Sequence, residues 1–363
     1  MPQAPAPPRG RDAPGEQGER PRCYGALDLG TNNCRLLIAT PARGGFRVVE
    51  AFSRIVRLGE GLTHSGRLQP EAMDRALAAL AICAEKVKRR QVARLRAVAT
   101  QACRSADNGQ EFIDRVERET GLKLSIIEPE EEARLAVAGC SNLLDRQAEA
   151  AVVVDVGGGS TELSWVAFSG GDGDRRPRLI SWLSIPIGVV SLAERFPEPA
   201  HPTEEWWDAM VGAIRAEIAA FGAADPLRAH FQEGRAHLIG TSGAITSLAG
   251  MHLGLQRYDR SKVDGLWMTR GECRAAADRL RLVGRQARAD EPCIGPDRAD
   301  LVLAGAAILE AVQQLWPCER VRVADRGLRE GMLLALMREG EQRPKRRRRR
   351  RRGPRPATAN AAA

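Results

Sequence analysis

Asp28 and Asp155 head the same pattern twice in one chain. D-L-G-T-N-N-C-R-L runs from Asp28 and D-V-G-G-G-S-T-E-L from Asp155, each between two apolar, strand-like stretches. The two copies lie 127 residues apart, and Leu36 falls on Leu163 when the aspartates are aligned. A repeat of that length is a domain rather than a small solenoid unit, so the chain is expected to hold two similar halves facing each other.

Length agrees, since 363 residues is the size of two ordinary domains. With 43% apolar and 28% charged residues, the chain is not of the disordered class. The net charge of +9 is unevenly placed: residues 343–355, RPKRRRRRRRGPR, hold ten cations and no anion, which leaves the body near neutral. The Pro-rich, Gly-rich residues 1–22 and the polybasic residues 341–363 are expected to be disordered. No run of 18 apolar residues and no apolar leader is present, so a cytoplasmic protein with no membrane partner is expected. Eight cysteines stand singly, without CxxC spacing, and read as reduced thiols.

Strand-like and helix-like stretches alternate, the signature of an α/β chain. YGALDLG, CRLLIAT, FRVVEAF, LRAVATQ and LKLSIIE read as strands of the first half, 23–150. AVVVDVGGG, ELSWVAF, LISWLSI and RVRVAD read as strands of the second, 151–340. Helices are expected over 70–91, over 111–120, from Pro129, from 203, 242, 269 and 298, and over about 327–337.

GGGST at 157–161 follows a strand, yet it is neither of the familiar phosphate loops. No Lys-Ser or Lys-Thr follows the glycines, and the next residues alternate as a strand rather than opening a helix. A tight β-hairpin remains, in which glycines at positive φ let backbone N–H groups converge on an anion. Asn32, Asn33, Ser160 and Thr161 add side-chain donors, although a plain hairpin favours Asn and Gly as well. Asp28 and Asp155 stand at strand ends beside these loops, where a carboxylate and an anion repel unless a cation lies between them. Mg²⁺, or another divalent cation, suits that place, with Asp155 and Glu162 sharing the ion and Asp28 the symmetric candidate.

These stretches, with LIGTSGAITSLAG from Leu238, resemble the phosphate and nucleotide-side loops of the actin-like ATPase superfamily, whose domains are ribonuclease H-like. RLGEGL from Arg57, ATQACRSADN from Ala99, IEPEEEARLA from Ile127, PDRADLVLAG from Pro296 and ADRGLREGML from Ala324 resemble, in order, the landmarks of the exopolyphosphatase and guanosine pentaphosphate phosphatase family (Ppx/GppA). The resemblance runs from about Tyr24 to Met337 and implies a short form with two actin-like domains and an interdomain cleft. Ser242 and Ala244 depart from the family, which more often has Ala and Thr there.

The resemblance implies a Mg²⁺-dependent hydrolase that releases terminal phosphate from polyphosphate, with pppGpp, and so the stringent response, as the alternative substrate. It assigns Glu132 the catalytic part, Asp155 and Glu162 the metal site, and Arg104 a phosphate contact. The full set expected to bind phosphate is Thr31, Asn32, Asn33, Cys34, Arg104 and residues 157–161. Three acids behind Pro129 also suit a helix dipole, so the residues alone leave Glu132 open. No DxDx(T/V) aspartyl-phosphate motif occurs, which favours direct attack by water. A non-catalytic polyphosphate, alarmone or RNA-associated binder is the reading from another class; a sugar or acetate kinase lacks an obvious acceptor insertion. The tail at 343–355 is expected to attract a polyanion, polyphosphate or RNA, and a homodimer is left open.

Overall fold

The computed structural model describes residues 22–145, 147–169, 176–219 and 228–342. The expectations for residues 1–21 and for the tail from 343 lie outside the described residues, whereas residues 341 and 342, expected to be disordered, continue the last helix to Gln342. The strands form two sheets, and each repeats one plan. In the first, β1 (Tyr24–Leu29), β2 (Asn33–Ala42), β3 (Gly45–Ile55), β4 (Arg94–Ala99) and β5 (Ser125–Ile126) stand in the order β3-β2-β1-β4-β5. In the second, β6 (Ala150–Val156), β7 (Thr161–Ser169), β8 (Arg176–Ile185), β9 (Ala236–Thr241), β10 (Trp267–Thr269) and β11 (Arg320–Ala324) stand in the order β10-β11-β9-β6-β7-β8. In both halves an antiparallel three-strand meander is extended by two parallel strands on the side of its first member. The duplicated α/β architecture read from Asp28 and Asp155 is therefore present in the topology, with β10 an antiparallel addition at one edge.

Burial explains the sequence patterns. β6 lies between β7 and β9 and is buried on both faces, so it reads AAVVVDV without alternation. β3 lies at an edge, and its residues are mostly half-buried or exposed. The helix Pro70–Arg89 opens on proline and buries Ala72, Ala76, Ala79, Leu80 and Cys83 along one stripe. Gly121, in the left-handed region at φ 71, stops the helix Gly109–Thr120. The stretch LKLSIIE contributes only two paired residues, Ser125 and Ile126.

Two helices join the halves. The Pro129–Cys140 helix shares one apolar cluster with the first sheet through Leu135 and another with the second through Val137 and Cys140. The Leu328–Gln342 helix belongs by position in the chain to the second half, but Leu328, Met332, Leu333, Leu336 and Met337 pack against Tyr24, Ala26 and Leu37 of the first sheet. The two helices cross closely: a Cβ on Gly331 would lie 2.0 Å from Leu135 O, and one on Gly139 2.0 Å from Gly327 O. No described helix is long and apolar enough to cross a membrane.

Candidate active site

The C-terminal ends of β1, β4, β6, β9 and β11 converge on one cleft of about 900 Å³ between the two halves. Strand ends of this kind are where open α/β sheets place ligands, because the loops that follow carry free polar groups. Gly30 N–H donates to Asn33 O at 2.9 Å in the first loop, and Gly157 N–H to Ser160 O at 2.9 Å in the second. The same turn thus closes both hairpins, as the repeat predicted.

The two loops touch. A Cβ on Gly158 would lie 2.9 Å from Thr31 Cβ and 3.0 Å from Asn32 N, and one on Gly159 would lie 2.9 Å from Thr31 Oγ1. None of Gly157, Gly158 and Gly159 has a positive φ. The glycines therefore serve close approach between the halves, not the left-handed turn expected from sequence. Asn32 Oδ1 and Asn33 Oδ1 are buried without a hydrogen-bond partner, so this loop holds polar capacity that the protein itself does not use.

Four of the carboxyl groups that line the cleft are the ones the sequence singles out. Asp155 and Glu162 are directly opposite each other in the β6–β7 pairing, Asp28 stands near the end of β1, and Glu132 sits in the first turn of the Pro129–Cys140 helix. Burial pushes the Asp155 carboxyl up to about 8, and the charges of Glu162 and Asp28 add to that. Burial also raises Glu132 well above the usual carboxylate range, with Glu162 adding to the shift and Arg104 opposing it. Asp28 is raised by burial against the pull of Arg35 and Arg329. Glu162 is raised by burial too, opposed by hydrogen bonds from Ser160 and Ser184; Ser184 Oγ donates to Glu162 Oε1 at 2.9 Å.

Arg104 stands beside Glu132, with Nη1 donating to Glu132 Oε2 at 3.3 Å and to Ile127 O at 2.6 Å. Its Nη2 donates to Gln101 Oε1 at 2.7 Å, so the guanidinium is largely committed to protein partners. Two residues expected to bind phosphate turn away, a correction to that expectation for their side chains. Cys34 points into the first core, its Sγ 3.9 Å from that of Cys83. Thr161 is fully buried and donates to Ile187 O at 2.7 Å. Strand alternation is the reason for Cys34: Arg35, one residue on, faces the cleft, so its neighbour faces the core.

Sequence reasoning passed over a cluster of cations. Arg35, Arg298 and Arg329 line the cleft and make no ion pair at salt-bridge distance among the described residues. Arg35 Nη2 and Arg298 Cζ would lie 3.6 and 3.8 Å from a Cβ on Gly243, where the Gly243–His252 helix begins. Burial lowers the Arg35 pKa, and the charges of Arg329 and Arg298 add to that shift. Ser242, the family departure, caps that helix by accepting from Ile245 N–H at 3.1 Å.

Among the described residues, no three acidic, imidazole or thiol side chains converge tightly enough to cage a metal alone. The donor set fits a harder requirement: Mg²⁺ takes one or two carboxylates and completes its shell with water and phosphate oxygens. Asp155 and Glu162 supply such a pair, and their mutual repulsion is what a divalent cation relieves.

Two duplicated domains, with paired loops meeting over buried carboxylates in an arginine-lined cleft, define a phosphate-handling protein of the actin-like class. The chain belongs to the Ppx/GppA phosphatase family, whose model matches residues 37–339. It is a hydrolase acting on phosphoanhydride bonds. It is similar to the Aquifex aeolicus member of the family, with 30% identity and a TM-score of 0.71 over 88% of this chain and 98% of that one. An exopolyphosphatase-like protein is 30% identical with a TM-score of 0.78, covering 89% of this chain and 100% of its own. An exopolyphosphatase from Cytophaga hutchinsonii is 25% identical with a TM-score of 0.76, covering 88% of this chain and 98% of its own.

Proposed function

We propose that the protein is an exopolyphosphatase, releasing terminal phosphate from inorganic polyphosphate by direct attack of water with Glu132 as general base. The observation that carries this reading is the position of Glu132, buried in the cleft wall with a raised pKa and a guanidinium 3.3 Å away. A carboxylate with a raised pKa binds a proton more firmly once ionised than an exposed one does, which is what removal of a proton from water requires.

In this reading water forms a new P–O bond at the terminal phosphorus while the bridging P–O bond breaks. Glu132 takes the proton of the attacking water, and the shortened chain departs with the bridging oxygen. Arg104 orients the Glu132 carboxylate, and the free N–H groups of the two loops hold the terminal phosphate oxygens. Arg35, Arg298 and Arg329 carry the charge of the phosphates further along. Asp155 and Glu162, with Asp28 near them, would hold a divalent cation, which would supply positive charge to offset the carboxylates and the phosphate oxygens.

A polymeric substrate is supported by the cleft volume, by its arginine lining, and by the ten cations of residues 343–355, which attract any phosphate polymer. Phosphate release from long-chain polyphosphate and from pppGpp, run side by side with Mg²⁺, tests the reading. Faster release per enzyme from polyphosphate supports it, and faster release from pppGpp assigns the protein to alarmone hydrolysis instead.

A further inference from the structure

The segment from Arg57 to Ser65, RLGEGLTHS, has no part in the chemistry described above, yet it is bound to the first loop and to a helix that is itself bound to the second. Val56 and Arg57 N–H groups donate to Asn32 O at 2.8 and 3.1 Å, and Gly59 N–H donates to Thr31 O at 2.9 Å. A Cβ on Gly59 would lie 2.3 Å from Thr31 Cγ2, so segment and first loop move as one piece. The helix Val189–Arg195 is tied to the second loop in the same manner: Val189 N–H donates to Gly157 O at 3.0 Å and Val190 N–H to Gly158 O at 2.7 Å.

Glu194 joins these two pieces across the cleft. Its carboxylate accepts from Gly61 N–H at 3.0 Å and from Thr63 Oγ1 at 3.0 Å. A second bridge runs from Arg57, whose Nη2 is 3.2 Å from Asp300 Oδ2 and 3.5 Å from Asp297 O. Arg57 has φ 48, a backbone conformation that costs energy for a residue with a side chain and is kept where surrounding contacts enforce it.

We infer that Glu194 is a positioning residue: bonded across the cleft to the Gly61–Thr63 turn, it holds the two phosphate loops in their closed register, and the cleft opens when that bond is released. Closure that two hydrogen bonds support is reversible, as a cleft that admits substrate and releases product requires. The kinetic consequence rests on the proposed phosphatase reading; the geometric one does not.

The test uses the full chain with Glu194→Ala, Glu194→Gln and Thr63→Val, measured by small-angle X-ray scattering without ligand and by steady-state kinetics on long-chain polyphosphate. Glu194→Ala is expected to increase the radius of gyration and raise KM by roughly threefold to tenfold, the population shift that two such hydrogen bonds supply. Its kcat is expected to change by less than about twofold, because saturating substrate closes the cleft through its own contacts. Glu194→Gln, which keeps an acceptor oxygen, should fall between wild type and Glu194→Ala, and Thr63→Val should add little to Glu194→Ala. An unchanged radius of gyration in Glu194→Ala overturns the inference, as does a loss confined to kcat. If the wild type does not hydrolyse polyphosphate, the proposed function fails while the scattering result still decides the part played by Glu194.

Discussion

Asp155 faces Glu162 directly across the β6–β7 hairpin, and both carboxyls are raised by burial. Two acids in that position oppose folding unless a cation or a proton separates their charges. Asp155→Asn is therefore expected to raise the melting temperature in the absence of divalent cations. The same substitution should abolish most of the increment that Mg²⁺ gives the wild type. Differential scanning calorimetry with and without Mg²⁺ measures both, and a metal-free Asp155→Asn protein less stable than wild type contradicts the account.

Gly158 meets the first loop with no room for a side chain. Its Cβ would press on Thr31 Cβ and on Asn32 N, atoms that cannot rotate aside. Gly158→Ala should displace one loop from the other by several tenths of an ångström and lower kcat/KM by roughly a hundredfold. Gly212, in the Glu204–Ala219 helix, has open space where a Cβ would go, so Gly212→Ala should leave kinetics intact and add about 0.5–1 kcal/mol of stability.

The architecture was legible because burial writes itself into strand patterns: β1, β2, β6 and β7 were readable, and so was their repetition around Asp28 and Asp155. Asp155 stood out by its place at a strand end, whereas the residues alone left Glu132 open among three acids behind Pro129 and only the family resemblance singled it out. The arginine cluster was not legible, since Arg35, Arg298 and Arg329 meet only through the fold and each looks like a surface residue in its own stretch. Arg35 did carry a signal, because period-two alternation sets it on the face opposite Cys34. The return of the last helix to the first sheet was hidden because its apolar stripe does not say which sheet it covers.

His237 gives the pH dependence of stability a defined sign. It is buried on β9, and Asp145 N–H donates to its Nε2 at 3.4 Å, which requires that nitrogen to be unprotonated. Burial lowers its pKa to about 4 from 6.5. The fold thus prefers the neutral ring, so this contribution is complete above the unfolded value of 6.5 and is lost as pH falls through about 4. Denaturant titrations between those limits should show stability declining by up to about 3 kcal/mol. His237→Gln should flatten that decline, and an unchanged slope in the variant would show that other groups set it.

Residues 343–363 are expected to tether long substrates by charge. Their deletion should raise KM for long-chain polyphosphate and weaken its dependence on salt, because fewer counterions are released on binding. A triphosphate-sized substrate should respond little. Equal changes for short and long substrates would refute the tether.

The central claim is that Glu132 activates water in a cleft that binds substrate without it. Turnover of long-chain polyphosphate and equilibrium binding of the same polymer, measured on wild type and Glu132→Gln in one Mg²⁺ buffer, test this most directly. The account predicts that Glu132→Gln loses turnover by roughly a thousandfold or more while its dissociation constant stays within about threefold of wild type. Parallel loss of binding and turnover, or residual turnover within about tenfold of wild type, contradicts it.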